Sequence, residues 1–198
     1  MHPNRTKYLK VMEMGGILFG ALFSLFAQKL YTFSDRGLVG VLFGAVNDSP
    51  WEIIKTVLLP FFLWGVLELL ALQPSLHKLT AAKTASLYLV AGILLAGSCV
   101  LYRCGIGTNS AAFTAVCLIA LSAGAAFSIL IYHASFEANR FFAPCIFLLF
   151  LFLACYFSLT PFPPQSFLFR DSRTGIYGLI PDYLDIGAYV MTYFFQKR

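Results

Sequence analysis

The chain has 198 residues, of which 59% are hydrophobic and only 12% are charged. Soluble domains contain about 45–50% apolar and about 25% charged residues, so this composition excludes an ordinary soluble fold. The net charge is +5, and the basic residues are scattered near the ends of the apolar stretches. They do not form a basic run interleaved with aromatic residues, which argues against a nucleic-acid-binding surface. Residues 1–198 are therefore predicted to form a single integral membrane domain of the all-α class.

Five apolar stretches are long enough to cross the hydrocarbon core of a bilayer, which takes about 20 residues of helix. They cover residues 11–33, 51–72, 85–102, 111–132 and 141–160. The last three contain no charged residue, whereas Lys55 and Glu68 interrupt the second. This pattern predicts a polytopic transmembrane helix bundle with five spans.

Two further apolar stretches do not fit a full span. Residues 37–46 are too few to cross the membrane and predict a re-entrant or interfacial half-helix. Residues 177–195 carry Asp182 and Asp185 among many aromatic side chains, which predicts an interfacial C-terminal helix. A short sixth span is the alternative for this tail.

The basic residues favour a cytoplasmic N-terminus. Lys7 and Lys10 precede the first span, and Lys78 and Lys83 are predicted to lie in the loop between the second and third spans, on the same side. The first apolar stretch has no small-residue cleavage site, so it is interpreted as a retained span.

The most polar group inside the apolar pattern is Asn47, Asp48, Trp51, Glu52 and Lys55. One interpretation is purely structural, because Ser49 is a good N-cap, Pro50 suits the first helical position, and Glu52 completes a capping box. The other is functional, because charged groups at membrane depth are costly and often mark solute sites. The two interpretations stay open from the sequence, and these five residues are candidate binding residues.

Two ordered motifs resemble those of a known family. Residues 43–60, FGAVNDSPWEIIKTVLLP, resemble the N-E-S-x-W-E-H-x-K signature of an uncharacterised bacterial family of small multi-spanning membrane proteins. Residues 163–178, PPQSFLFRDSRTGIYG, are similar to its C-terminal D-P-x-T-G-x-Y-G motif. The resemblance implies a multi-pass protein of the bacterial cytoplasmic membrane and no assigned activity. The family's His is Ile53 here, which argues against imidazole chemistry at this position.

The second motif predicts a rigid turned loop. Asp171 and Thr174 can hydrogen-bond nearby backbone, and Gly175 and Gly178 permit positive φ. With five spans and a half-helix, this loop returns to the end of the bundle that holds Trp51. We therefore expect it to pack over that end, and Asp171 and Thr174 are added to the candidate binding residues.

Other polar residues give weaker signals. Glu13 and Glu68 are predicted to lie near the same membrane face, as interfacial anchors or as parts of an ion path. Only three histidines are present, so no metal site is expected, and no nucleotide or nucleophile motif appears. The cofactor is left unknown.

The favoured function is binding or transport of a small solute at the polar site around residues 47–55, with membrane lipids as partners. One alternative is a membrane-embedded enzyme that acts on a lipid or lipid-linked substrate. Another is a non-catalytic membrane subunit. Whether the protein is an enzyme, and how many copies assemble, stays open.

Overall fold

The computed structural model describes residues 3–72, 75–107, 110–172 and 174–179, and helices dominate this part of the chain. The helices are α1 (Pro3–Phe33), α2 (Leu38–Phe43), α3 (Pro50–Leu72), α4 (Leu76–Arg103), α5 (Ala111–His133) and α6 (Ala138–Ser158), followed by a 3-10 helix at Phe167–Phe169. The described residues form no β-strand beyond one isolated bridge between Arg170 and Tyr177. The all-α prediction is confirmed.

Five of these helices are long and apolar enough to cross a membrane: Tyr8–Phe33, Pro50–Ala71, Leu76–Arg103, Ala111–His133 and Ala138–Ser158. This is the number of spans predicted, and the protein is a multi-pass membrane protein. The tail predicted as an interfacial helix or sixth span lies, from residue 180 onward, outside the described residues.

The start of α4 differs from the sequence prediction. The helix begins at Leu76 and not at residue 85, so Lys78 and Lys83 lie within a helix and the prediction that they occupy a loop is wrong. Leu79 and Ala82 in this extra segment are buried, so it is a packed part of the helix at the end of the bundle. Hydropathy located the fully apolar part of α4 but not this amphipathic extension.

The predicted short half-helix is confirmed as α2. The chain reverses direction at Asp35 and Arg36, whose φ angles are 51° and 58°. It then runs back beside α1, where the amide of Ala45 donates to the carbonyl of Ala27 at 3.4 Å. This fold-back allows α3 to begin at the same end of the bundle at which α1 finishes.

Helix α3 is the centre of the bundle. In its apolar stretch 61% of the residues are buried, against 17–33% in the other four long helices. The core around it combines apolar side chains of four helices: Ile54, Val57, Leu58, Phe61, Val90, Leu94, Leu121 and Tyr156. The polar side chains of α3, namely Glu52, Lys55, Thr56 and Glu68, are likewise buried within the protein.

Helices α1 and α3 are antiparallel neighbours. The hydroxyls of Ser24 and Thr56 lie 3.2 Å apart, and the indole of Trp64 donates to the carbonyl of Met12 at 2.9 Å. Gly16 makes this approach possible, because a Cβ at that position would lie 2.6 Å from the Trp64 indole nitrogen. Small residues at helix contacts commonly allow such close packing in membranes.

Candidate functional site

The first turn of α3 is capped by Ser49. Its hydroxyl accepts from the amide of Glu52 at 3.4 Å, while its own amide donates to the side-chain oxygen of Asn47 at 2.9 Å. The second half of the predicted capping box does not form, because the Glu52 carboxylate turns away and accepts from the amide of Val46 at 3.1 Å. The cap thus leaves Glu52 directed into the protein.

Glu52 and Lys55 form a buried ion pair with an O–N distance of 2.7 Å. Thr160 closes this pair into a ring, since its hydroxyl donates to Glu52 at 2.7 Å and accepts from Lys55 at 2.9 Å. The Lys55 ammonium also donates to the carbonyl of Val41 at 3.3 Å. One carboxylate and one ammonium are present, so the charges of this cluster balance, and both groups also make hydrogen bonds to neighbouring residues.

The ring of Tyr156 borders the same cluster, 5.9 Å from the Lys55 nitrogen. Tyr156 is 1% exposed, and its hydroxyl makes no hydrogen bond within the described part of the chain. Sequence reasoning missed both Tyr156 and Thr160. They follow Lys55 by about a hundred residues, inside or just after a span whose composition is otherwise uniform, so no local signal marks them.

Asp171 organises the loop that follows α6. One carboxylate oxygen accepts from the amide of Asp48 at 2.9 Å, and the other accepts from the amide and the hydroxyl of Thr174, both at 2.7 Å. The backbone of Asp171 also pairs with Gly175 and Ile176. Gly175 has φ of 73°, the positive value that the sequence led us to expect at this turn.

The loop covers the end of the bundle that holds Trp51, as predicted. The side-chain amide of Asn47 donates to the carbonyl of Gly178 at 2.8 Å, and the ring of Phe169 lies 5.6 Å from that of Trp51. The Ser172 hydroxyl donates to the carbonyl of Asp48 at 3.3 Å. The two motif regions, more than 120 residues apart in sequence, therefore form one unit.

A cavity of about 410 Å³ lies between this loop and the adjoining ends of α4 and α5. Its lining includes apolar and aromatic side chains of the helices and polar side chains of the loop: Tyr102, Phe113, Phe167, Arg170, Ser172 and Thr174. The rings of Tyr102 and Phe167 stack with centroids 4.6 Å apart and form one wall.

The seven candidate binding residues divide into two groups around this cavity. Asp171 and Thr174 line it, whereas Asn47, Asp48, Trp51, Glu52 and Lys55 are not among its described lining residues. Of those five, Asn47, Trp51, Glu52 and Lys55 are buried, and Asp48 is partly buried. The side chains of Asn47, Glu52 and Lys55 make hydrogen bonds within the protein, and the Trp51 ring lies against Phe169. A direct binding role stays a prediction for all seven.

Among the described residues, no three His, Cys, Asp or Glu side chains come together in a way that could hold a metal ion. The five cysteines are all free thiols. The charged groups at the candidate site are thus arranged as ion pairs and hydrogen-bonded clusters.

Comparison with known proteins identifies the family. Residues 2–179 match the family described as "Family of unknown function (DUF6512)". The chain belongs to this family. The match extends over both motif regions and all five long helices, and membership of an uncharacterised family is as the sequence predicted. No curated protein and no solved structure matches the chain.

Proposed function

We propose that this membrane protein binds a small anionic solute in the cavity between the loop at residues 161–178 and helices α4 and α5. The observation that carries the proposal is the cavity itself. Its volume of about 410 Å³ falls in the range of about 300–1,000 Å³ that small-molecule sites occupy. It combines apolar walls with a few polar groups, as such sites usually do.

The expected charge of the ligand follows from which charged groups in the cavity lining already make hydrogen bonds within the protein. Both carboxylate oxygens of Asp171 are occupied by Asp48 and Thr174, so this acid acts in holding the loop. Arg170 is the cationic side chain among the described lining residues. Its Nε donates to the carbonyl of Gly175 at 3.3 Å, and its two terminal nitrogens donate to no other described residue. A guanidinium suits a carboxylate or a phosphate because it can donate two parallel hydrogen bonds.

The stacked rings of Tyr102 and Phe167 supply an apolar face next to Arg170. A ligand with an anionic group and a short apolar or aromatic portion would satisfy both parts of the cavity. A free solute and the headgroup of an anionic lipid share this chemistry, and the cavity lies at an end of the bundle where either has access.

In this proposal Asn47, Asp48, Trp51, Glu52 and Lys55 act as the support of the binding loop. Binding sites need such supporting residues, because a side chain that contacts a ligand is effective only when its backbone is held in place. Here the Asn47 side chain donates to Gly178 and the Asp48 amide donates to Asp171, so a change in the segment just before α3 would reach the cavity through the loop.

The test uses the full chain in lipid nanodiscs, with thermal unfolding as the readout. The probes are inorganic phosphate and benzoate in nanodiscs of phosphatidylcholine, and phosphatidylglycerol added to the same nanodiscs. We expect at least one probe to raise the unfolding temperature, because a ligand that binds only the folded state stabilises it. Phosphate or benzoate would identify a free solute, and phosphatidylglycerol alone would identify a lipid headgroup.

The matched variants are Arg170→Gln and Arg140→Gln. Arg140 is also exposed, but it pairs with Glu137 at the other end of the bundle. We expect the stabilisation to disappear in Arg170→Gln and to persist in Arg140→Gln. Equal responses of the two variants, or no response to any probe, would overturn the proposal.

We also propose that the protein lies in the bacterial cytoplasmic membrane and contacts membrane lipids, because both motifs resemble those of a bacterial family. A cytoplasmic N-terminus would then put the cavity on the outer face. In a cysteine-free background, Ser166→Cys should react with an impermeant thiol reagent from outside intact cells, and Glu137→Cys should not. The reverse pattern would invert the orientation.

A further inference from the structure

A second buried cluster, at the opposite end of α3, contains two carboxylates and one ammonium. The ammonium of Lys83 lies 2.7 Å from an oxygen of Glu13 and 2.5 Å from an oxygen of Glu68. These residues come from α4, α1 and α3, so the cluster joins three spans. It is separate from the candidate site, since Glu68 follows Glu52 by 16 residues, or about 24 Å along the helix.

The cluster is enclosed by protein. Glu13 is 2% exposed, Glu68 is not exposed, and the Lys83 side chain is 12% exposed. The second oxygen of Glu68 accepts from the Trp64 indole at 2.9 Å, and the Phe61 ring lies 5.8 Å from the Lys83 nitrogen. From α5, Tyr132 belongs to the apolar group that includes Leu9, Leu79 and Ala82 at this end.

With both acids ionised, the cluster would carry one uncompensated negative charge inside the bundle. Burying an unpaired charge is so unfavourable that such a group normally takes up a proton or finds a counterion. Among the described residues, one ammonium and one neutral indole donor contact the two carboxylates, and no second cation pairs with them. When two carboxylates share one site, one of them usually takes up a proton.

A small cavity borders the cluster at Lys83. It has a volume of about 70 Å³, and Lys83 and Thr80 are the polar side chains in a lining that is otherwise apolar. A cavity needs only about 10–15 Å³ of this kind of volume to admit one water molecule. Gly65 keeps the space open for the lysine, because a Cβ there would lie 3.3 Å from two carbons of the Lys83 side chain.

We propose that Glu13 and Glu68 form an exchangeable proton-binding site, in which Lys83 neutralises one carboxylate and a single proton neutralises the other. Uptake converts one carboxylate to a carboxylic acid, and the proton comes from water that reaches Lys83 through the small cavity. Charged groups within membrane spans often form proton relays.

The direct test is infrared difference spectroscopy of the full chain in nanodiscs, stepped from neutral to high pH. We expect a protonated-carboxyl carbonyl band at neutral pH that disappears at high pH. Glu13→Gln and Glu68→Gln should each abolish this band, because the remaining carboxylate would then pair with Lys83 alone. Glu137→Gln, at an exposed acid, should leave it unchanged. A parent protein without the band, or a band that survives in both buried-acid variants, would overturn the proposal.

Sodium provides the second measurement, because a metal cation could balance the same charge. We expect the unfolding temperature to be independent of sodium at constant ionic strength. A sodium-dependent increase that is lost in Glu68→Gln would replace the proton with a metal cation and overturn the proposal. Either glutamine variant should remain folded and monodisperse, since glutamine resembles the protonated acid.

Discussion

Helix α3 holds a buried ionic cluster near each end, and the two clusters differ in how they balance charge. At the Trp51 end, one carboxylate, Glu52, faces one ammonium, Lys55, with Thr160 bridging them. At the other end, Lys83 faces both Glu13 and Glu68. The first arrangement suits a fixed support for the binding loop. The second requires an additional positive charge, and this makes it suitable for binding a proton.

The two clusters also differ in what surrounds them. A loop stabilised by Asp171 packs over the end of α3 that carries the balanced cluster, and the Thr160 hydroxyl comes from the chain that leads into this loop. The unbalanced cluster is held by three spans and borders a small cavity. Neutralising one acid should therefore destabilise the protein much more at the Trp51 end than at the other end.

The largest expected effect is that of Glu52→Gln. It leaves the Lys55 ammonium buried without a counterion, and removing one partner of a buried pair costs about 3–5 kcal/mol. Glu68→Gln should change the free energy of unfolding far less, because the cluster keeps one acid for Lys83. Chemical denaturation in detergent micelles measures both. A similar loss of stability in the two variants would remove the proposed difference between the ends.

Thr160→Val should have the next largest effect. It removes the hydroxyl that contacts both Lys55 and Glu52, and it leaves buried charged groups short of hydrogen bonds. We expect a loss of about 2–3 kcal/mol in the free energy of unfolding. Thr160→Ser retains the hydroxyl and is the control. If serine and valine were equally destabilising, packing of the methyl group would explain the result instead.

Gly16→Ala tests the support of the unbalanced cluster. The added Cβ would lie 2.6 Å from the Trp64 indole nitrogen, so the ring that donates to Glu68 must shift. Overpacking of this kind costs about 1–3 kcal/mol. Gly92→Ala is the matched control, because a Cβ there meets nothing within 4 Å. Thermal unfolding should separate the two alanine variants, and an equal response would show that Trp64 moves freely.

The smallest expected effect is at the exposed pair of Glu137 and Arg140. These side chains are 72% and 78% exposed and lie 2.6 Å apart. Exposed ion pairs contribute about 0–1 kcal/mol, so Glu137→Gln should change the unfolding temperature very little. A large loss would indicate that this pair is buried in an oligomer.

Much of the fold could be predicted from the sequence, because membrane thickness sets the length of each span and hydropathy is a local property. The five spans, the half-helix near residues 37–46 and the Ser49 cap all follow from neighbouring residues. Even the position of the loop over Trp51 followed from counting spans, since each crossing reverses the side of the membrane. The family was predicted from two short motifs.

Which side chains meet between helices was decided only by the tertiary structure. Thr160 joins Glu52 and Lys55 from more than a hundred residues away, and Lys83 reaches Glu13 from the part of α4 that hydropathy assigned to a loop. The cavity likewise depends on how the ends of α4 and α5 meet the loop. Hydropathy fixes how far a helix extends through the bilayer. It does not fix the rotation or the neighbours of the helix, which depend on close packing at residues such as Gly16 and Gly65.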